Sequence, residues 1–304
     1  MRLSCNEERI MFKRVALFIL TNIAIMVVVS IILSIFNVDP YLSQHGLDYK
    51  ALLIFSAIFG FAGSFISLAM SKFMAKHAYG VSIIQQPSSS EEQFLVRTVQ
   101  SLARKVGIKT PEIGIYDSPD PNAFATGWNR NSALVAVSTG ILQSMNEEEL
   151  TGVLGHEISH IANGDMVTLA LIQGIVNTFV IFFARIAAFL VAQFLSRNEE
   201  GEGFSTIIFY ITAIIFQIVF GILASVIVMW FSRWREFHAD SGSASLTSKQ
   251  HMIAALQRLK QYSEAPEDNR SPALSAFMIN RHSKFLKLFS SHPSIEERIA
   301  ALTH

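Results

Sequence analysis

Cysteine is almost absent from this chain, since Cys5 is the only one in 304 residues. A single cysteine cannot form an internal disulfide bond, and it leaves a metal ion without the thiolate ligands of many structural zinc sites. Any metal bound here would have to be held by histidine, glutamate or aspartate.

Charge is also scarce. Only 16% of the residues are charged, whereas 51% are hydrophobic, and the mean hydropathy is +0.38. The 24 basic residues balance the 24 acidic ones, so no net field attracts nucleic acid or an acidic partner. This composition is too apolar for an ordinary soluble domain of this length and favours a membrane protein in contact with the lipid bilayer.

Long apolar segments account for this hydropathy. Each of them approaches or exceeds the roughly 20 residues that cross a hydrocarbon core of about 30 Å as a helix. The last two flank the acidic turn "SRNEEGEG" and form a hairpin, which either crosses the membrane twice or is only partly inserted. The sequence thus predicts up to four transmembrane helices, at Val15–Phe36, Ala51–Met70, Val167–Leu195 and Phe204–Phe231.

One charge interrupts these segments. Arg185 lies within the third segment, and a charge at mid-depth costs roughly 2.5 to 3.5 kcal/mol on insertion scales. We therefore expect Arg185 to face protein or water.

Basic residues near the segment ends predict the orientation. Lys and Arg accumulate on the cytoplasmic side of membrane proteins. They precede the first segment and follow the second and fourth, whereas the two intervening short loops contain only Lys50 and Arg197. Both termini and the region 71–166 are therefore predicted to face the cytoplasm, from Lys13, Arg14, Lys72, Lys76, Arg233 and Arg235.

The region 71–166 has the pattern of a water-soluble part. Ser90 and Gln93 match a capping box, and a helical apolar face follows at Leu95, Val99, Leu102 and Val106. The stretches "EIGIYD" and "ALVAVS" have the composition of strands and predict a small β-sheet. Asn146, followed by three glutamates, predicts the start of a further helix.

That further helix contains the motif "HEISH". On a helix, His156 and His160 lie one turn apart on the same face, so both imidazoles can point at one metal ion. Glu157 is rotated by about 100° from His156, where its carboxylate can accept a proton from a water at the metal. The pattern predicts one Zn²⁺ per chain, with Glu157 as the general base.

A catalytic zinc site requires a third protein ligand. We favour Glu236 because it directly follows the fourth apolar segment. It should therefore lie on the same side of the membrane as the motif, which directly precedes the third segment. Asp240, one turn further on, is placed to orient a ligating histidine. The candidates were Glu236, His238, Asp240, His251, His282 and His292.

Three stretches and the order of the segments carry a family resemblance. "HEISHIANGD", "SRWREFHADSGSA" and "SHPSIEERIAAL" closely resemble the HtpX family of bacterial inner-membrane heat-shock zinc metalloproteases, which is related to the eukaryotic prenyl-protein CAAX proteases. The resemblance covers essentially residues 11–304.

The resemblance implies a fold and an activity. The fold would be a mainly α membrane protein that carries a cytoplasmic, zincin-like α+β metalloprotease domain. Zinc would be held by His156, His160 and Glu236, with Glu157 as the base. The enzyme would cleave unfolded, misassembled or damaged membrane proteins in quality control at the bacterial inner membrane, as part of a heat-shock stress response and without a nucleotide.

The resemblance also assigns roles to two further stretches. Asn122, Ala123 and Phe124 match the stretch that binds the substrate backbone, and main-chain hydrogen bonds would hold an extended peptide there. His292 matches a histidine that stabilises the oxyanion as water attacks.

The predicted organisation has five parts, and two other functions remain open. The parts are a polar tail (1–14), a two-span anchor (15–70), a catalytic part (71–166), an apolar hairpin (167–231) and a helical part with the third ligand (232–304). A metal transporter or sensor could use the same ligands, but it should place ionisable residues at mid-depth, where only Arg185 qualifies. A protease for prenylated peptides would resemble a large multi-span chamber, for which four segments are too few.

Overall fold

A computed structural model describes residues 47–195, 202–264, 290 and 292–303. The first predicted span, Cys5, most of the hairpin turn and His282 lie outside these residues. In chain order the elements are α1 (Tyr49–Ala78), β1 (Ser82–Ile83), α2 (Ser90–Lys105), β2 (Glu112–Tyr116), β3 (Ala123–Gly127), β4 (Ala133–Ser138), α3 (Thr139–Ser144), α4 (Glu147–Asn163), α5 (Asp165–Leu195), α6 (Glu202–Leu246), α7 (Lys249–Glu264) and α8 (Ile295–Thr303).

Three of these helices are long and apolar enough to cross a membrane. They are Tyr49–Ala78, Asp165–Leu195 and Thr206–Leu246, and they contain the second and third predicted spans and all but the first two residues of the fourth. The fourth apolar segment continues without a break into the stretch that contains Glu236, since α6 is a single helix of 45 residues.

The chain divides into two compact units. The apolar unit comprises residues 1–65 and 171–224, and the mixed unit comprises residues 66–170 and 225–304. Each is described in turn.

Close helix packing organises the apolar unit. A Cβ atom added to Gly60 of α1 would lie 2.7 Å from the Thr178 Oγ1 atom of α5, so only glycine permits this approach. Leu53 of α1 and Phe182 of α5 share one buried cluster. The paired positions run in opposite directions along the two helices, so α1 and α5 are antiparallel.

Hydroxyl groups in the apolar unit are satisfied within their own helices. Ser56 donates to the Leu52 carbonyl at 2.8 Å and Thr178 to the Gly174 carbonyl at 2.8 Å. These bonds place polar side chains on apolar helices without a partner elsewhere.

A four-stranded mixed sheet lies in the other unit. Its strand order is β1-β2-β4-β3, with β2 and β4 parallel and the other pairs antiparallel. All six residues of β4 are buried, as expected for a central strand. The strand predictions for β2 and β4 are confirmed, whereas β3 lies in a stretch from which we expected turn residues.

Helices α2 and α4 pack on one face of this sheet in a shared hydrophobic core. The predicted face of α2 is confirmed, since Leu95, Val99 and Leu102 are buried. Its capping box is one residue earlier than predicted, at Ser89 and Glu92. The reason is that the Glu92 carboxylate accepts hydrogen bonds from Ser88 and Ser89.

Candidate metal centre

Helix α4 carries the two histidines of the motif between two well-defined ends. Asn146 caps its start, as predicted, and Glu149 completes the capping box. The helix stops at Gly164, whose φ of 67° and ψ of 34° are left-handed, a conformation that favours glycine. A single residue thus separates the motif helix from α5.

Three side chains converge from α4 and α6. The Nε2 atoms of His156 and His160 are 3.0 Å apart, and they lie 3.5 Å and 3.4 Å from the two carboxylate oxygens of Glu236. Ligands of a tetrahedral Zn²⁺ at about 2.0 to 2.1 Å are separated by about 3.3 Å. The three donor atoms therefore have the spacing that such an ion requires.

Two other carboxylates fix the orientation of the imidazoles. The Asp240 Oδ1 atom lies 2.9 Å from Nδ1 of His156, and the Asp165 Oδ2 atom lies 2.6 Å from Nδ1 of His160. A carboxylate can only accept, so each Nδ1 carries a proton, and Nε2 is the atom of each ring that is left to bind a metal ion. Two imidazole Nε2 atoms and the Glu236 carboxylate then face one point, which only a cation can satisfy.

Arg298 of α8 holds Asp240 in place. Its Nε and Nη2 atoms donate to the two Asp240 oxygens at 2.8 Å and 2.6 Å. Arg298 and Asp240 are 8% and 1% exposed. This bidentate pair makes the C-terminal helix part of the site, since Arg298 orients His156 through Asp240.

The buried charges at the site are mostly negative. Glu157, Asp165, Glu236 and Asp240 are all buried, and Arg298 is the buried cation among them. Four carboxylates thus surround one guanidinium, a surplus of negative charge that suits a divalent cation.

This surplus is reflected in the pKa values of both imidazoles. Burial alone would lower the pKa of His160, but its contacts with Asp165 and Glu236 outweigh that effect and raise the pKa to about 9. The pKa of His156 is likewise raised, because Asp240 and Glu236 overcome the effect of burial.

Small residues bring the helices of the site together. The Ser243 hydroxyl donates to the Gly152 carbonyl at 2.7 Å. A Cβ atom on Gly155 would lie 2.6 Å from the Ser243 hydroxyl, and one on Gly242 would lie 2.6 Å from the Ser159 hydroxyl. The backbones of α4 and α6 are thereby close enough for Glu236 to reach both histidines.

Glu157 and His292, the predicted catalytic residues, both lie at this site. Glu157 is 8% exposed, and among the side chains that the structure describes none donates a hydrogen bond to it. Its charge interacts with His160 and Arg298. The His292 Nδ1 atom is 2.7 Å from Glu236 Oε2, and its side chain is 62% exposed.

The predicted substrate stretch lies at the end and edge of the sheet. Asn122 precedes β3, and its N–H donates to the Ser138 hydroxyl at 3.0 Å. Ala123 and Phe124 begin β3, which pairs with β4 on one side. Within residues 47–195, 202–264, 290 and 292–303 no strand pairs with its other side.

Two other candidate ligands are not brought to the centre. His238 is exposed and contacts Trp234, with 4.0 Å between the ring centroids and an angle of 44° between the rings. The backbone carbonyl of His251 packs against Gly152 of α4, and its side chain is not part of the metal-binding group.

Two residues of the centre, Asp165 and Arg298, are not among those predicted from the sequence. Asp165 follows the left-handed Gly164, and that glycine was the local signal that the chain turns back toward His160. Arg298 lies within the quoted stretch "SHPSIEERIAAL", but no spacing rule connects it with Asp240, 58 residues earlier.

The fold and site define a membrane-bound metalloprotease, and comparisons with known proteins agree. Residues 89–304 match the model of peptidase family M48. The chain is 53% identical to "Protease HtpX homolog" of Methylacidiphilum infernorum, over 96% of this chain and 98% of that protein. It is 54% identical to "Protease HtpX" of Nitrosococcus oceani, over 96% and 99%.

A solved structure shares the fold. The crystal structure of S. mikatae Ste24p matches with a TM-score of 0.62 at 19% identity, over 91% of this chain and 64% of that chain. The chain belongs to peptidase family M48, and its relatives do not favour the transporter or sensor alternative. Membership in this metallopeptidase family also implies a metal cofactor, which the three converging ligands fit.

Proposed function

We propose that the chain is a zinc-dependent endopeptidase of the bacterial cytoplasmic membrane, with its active site facing the cytoplasm. It cleaves misfolded or damaged membrane proteins in proteolytic quality control. His156, His160 and Glu236 are the proposed zinc ligands, and Glu157 is the proposed base.

One observation carries the metal assignment. Asp240 and Asp165 accept hydrogen bonds from the Nδ1–H groups of the two histidines, which leaves both Nε2 atoms and the Glu236 carboxylate directed at one point. Two nitrogens and one oxygen, in a buried site of tetrahedral spacing, are a typical catalytic zinc set with one position left for substrate or water.

The side chains around the proposed zinc position have different roles in the reaction. A bound zinc ion supplies a Lewis acid that polarises the scissile carbonyl and lowers the pKa of water. Glu157 accepts the proton of the attacking water and delivers it to the leaving amine. His292 lies beside Glu236 on the exposed side of the site, where its imidazole can donate to the developing oxyanion.

The edge strand β3 accounts for a preference for unfolded substrates. An extended peptide can add to the outer edge of β3 through main-chain hydrogen bonds, beginning at Asn122, Ala123 and Phe124. Such bonds recognise an unpaired backbone more than a particular sequence. A protein that has lost its fold exposes such a backbone, and the apolar helices confine the enzyme to the membrane.

The charges that flank the apolar helices support the cytoplasmic orientation. Lys72 and Lys76 lie at the end of α1 that leads to the sheet, and Arg233 and Arg235 lie near Glu236 in α6. The opposite end of α1 has only Lys50. By the positive-inside rule, the sheet and the metal centre face the cytoplasm. We retain the five predicted parts of the chain as the proposed organisation.

The proposal is tested with detergent-purified full-length protein in three forms. For wild type, Glu157→Gln and His156→Ala, we would measure zinc by elemental analysis and cleavage of an unfolded casein. Wild type should hold one equivalent of zinc and cleave. Glu157→Gln should hold the same zinc and lose activity by about 10² to 10⁴-fold, and His156→Ala should lose both.

Cleavage by Glu157→Gln at the wild-type rate would refute the role of the base. Zinc retained by His156→Ala would refute the ligand set. A farnesylated peptide serves as a competing substrate, and its preferential cleavage over casein and over an unfolded membrane protein would replace the quality-control proposal.

A further inference from the structure

Arg185 is the one charge within the third apolar segment, and it faces another helix of the protein, as we expected. Its guanidinium carbon lies 4.8 Å from the centroid of the Phe55 ring of α1. The Tyr210 hydroxyl of α6 interacts with it electrostatically. The group is only partly buried.

The pairing of α1 with α5 indicates the depth of Arg185. Phe55 lies seven residues after Asp48, whose carboxylate caps the start of α1 by accepting from Lys50 N–H at 3.0 Å. Seven residues of helix span about 10 Å, whereas the middle of the charge-free stretch Ala51–Met70 lies near Gly60. Arg185 thus lies close to the charged end of α1 and not at mid-depth.

The lengths of the charge-free stretches in α1 and α5 indicate the same membrane depth for Arg185. Ala51–Met70 of α1 has 20 residues without a charge, and Met166–Ala184 of α5 has 19. Both lengths correspond to about 30 Å of helix, the thickness of a hydrocarbon core. Arg185 therefore marks the membrane boundary at the Asp48 end of α1, where lipid headgroups begin.

The Arg185 guanidinium has N–H donors for which the described residues provide no acceptor. No carboxylate among the described side chains lies within 4.0 Å of it, and no described oxygen accepts a hydrogen bond from it. The Phe55 ring attracts the cation but offers no lone pair, and a guanidinium has five N–H donors. A group at this depth is normally paired or reaches the interface.

We propose that Arg185, together with the Tyr210 hydroxyl, binds the phosphate of a phospholipid headgroup at this membrane boundary. A phosphate accepts two parallel hydrogen bonds from one guanidinium, and the Tyr210 hydroxyl adds a third donor. Free phosphate offers the same oxygens. A lipid also has acyl chains, which suit the exposed apolar residues on the same helices: Ile54, Phe55, Ile58, Phe183, Ile211 and Ile214.

Native mass spectrometry tests the proposal on full-length protein in detergent. We would add phosphatidylglycerol to wild type, Arg185→Gln, Arg185→Lys and Tyr210→Phe, and count the bound lipids. Arg185→Gln should reduce occupancy of the tightest lipid by about tenfold or more, because charge-assisted hydrogen bonds are lost. Arg185→Lys should retain part of the binding, and Tyr210→Phe should weaken it less than Arg185→Gln does.

Lys50→Gln is the matched control, because it removes an exposed cation at the same end of α1. It should leave the tightest lipid in place. The readout is a bound mass, so it is independent of the proposed peptidase activity. Thermal unfolding of each variant in detergent reports whether the protein has folded, and Arg185→Lys keeps the test decisive if Arg185→Gln does not fold.

Two results would overturn the proposal. Equal lipid occupancy in Arg185→Gln and wild type would show that the guanidinium does not hold the lipid. Displacement of the lipid by inorganic phosphate would identify a free-anion site, whereas resistance to inorganic phosphate supports a lipid headgroup.

Discussion

The two units of this protein differ in how many charged groups they contain and in what those groups contact. The mixed unit buries four carboxylates and a guanidinium around one point, where Arg298 pairs with Asp240 and Asp165 contacts His160. The apolar unit instead packs α1 against α5 through Gly60 and satisfies hydroxyls within single helices. Its one charge in α5, Arg185, contacts an aromatic ring.

The difference shows what each unit requires for its structure. Buried charges destabilise a fold unless partners and a cation compensate them, so the mixed unit depends on a few long-range pairs. Helices in lipid gain no hydrophobic stabilisation from contact with each other, and close backbone approach replaces it. Substitutions in the two units should therefore act by different mechanisms.

The largest effect is expected at Arg298. Arg298→Met should lower the free energy of unfolding by about 3 to 5 kcal/mol, because it leaves the buried Asp240 carboxylate without its cation. Thermal unfolding in detergent measures this change, and elemental analysis should show less zinc per chain.

Arg258→Met is the matched control for that substitution. Arg258 donates to Glu149 at 3.1 Å, but its side chain is 40% exposed. The expected loss is about 1 kcal/mol or less, because solvent screens the pair. Equal losses for the two variants would contradict the view that compensation of buried charge stabilises the mixed unit.

Asp165 offers a more selective test of the same unit. Asp165→Asn retains an oxygen that can accept from Nδ1 of His160 but removes the negative charge. Zinc affinity should fall by about 10 to 100-fold, as measured by competition with a chelator of known affinity. The fold should change little, and an unchanged affinity would show that Asp165 does not support the ligand.

Gly60 and Gly63 test the packing of the apolar unit. Gly60→Ala should cost about 1 to 3 kcal/mol, since its Cβ would lie 2.7 Å from the Thr178 backbone nitrogen and hydroxyl. Gly63→Ala should be nearly neutral, because no atom of the described residues would lie within 4 Å of its Cβ. Thermal unfolding measures the stability of both variants, and equal unfolding temperatures would refute the close approach of α1 and α5 at Gly60.

The smallest effect is expected at Glu112, which pairs with Lys72 at 2.8 Å and with Lys76. Burial raises the pKa of Glu112, but these hydrogen bonds outweigh it and lower the pKa below 4.5. A depressed pKa contributes stability above about pH 4.5 that is lost as the pH falls further.

Glu112→Gln should therefore be less stable than wild type at neutral pH, by less than about 1 kcal/mol because the side chain is 41% exposed. The difference should shrink when the pH falls below the pKa of Glu112. Thermal unfolding at several pH values measures this trend, and a difference that grows in acid would contradict the assigned ion pairs.

Local spacing explains which parts of the structure were predictable. The position of α4 follows from the Asn146 cap and the spacing of the histidines within one helix. The apolar helices follow from runs without charge. The strands β2 and β4 follow from short apolar runs that are bounded by turn residues.

The remaining features depend on contacts that are distant in sequence. The Arg298–Asp240 pair joins residues 58 positions apart. β3 is a strand because β4 pairs with it, although its own stretch is rich in turn residues. The contact of Arg185 with Phe55 depends on how α5 packs against α1, which no pattern within α5 reveals.

Gly164 has a consequence for preparing the enzyme without its membrane helices. Because α5 begins one residue after this glycine, the carboxylate that orients His160 lies on the first residue of an apolar helix. A soluble fragment that ended at Gly164 would keep the whole motif and lose Asp165. A water-soluble version should therefore keep the first turn of α5 and replace only its later apolar residues.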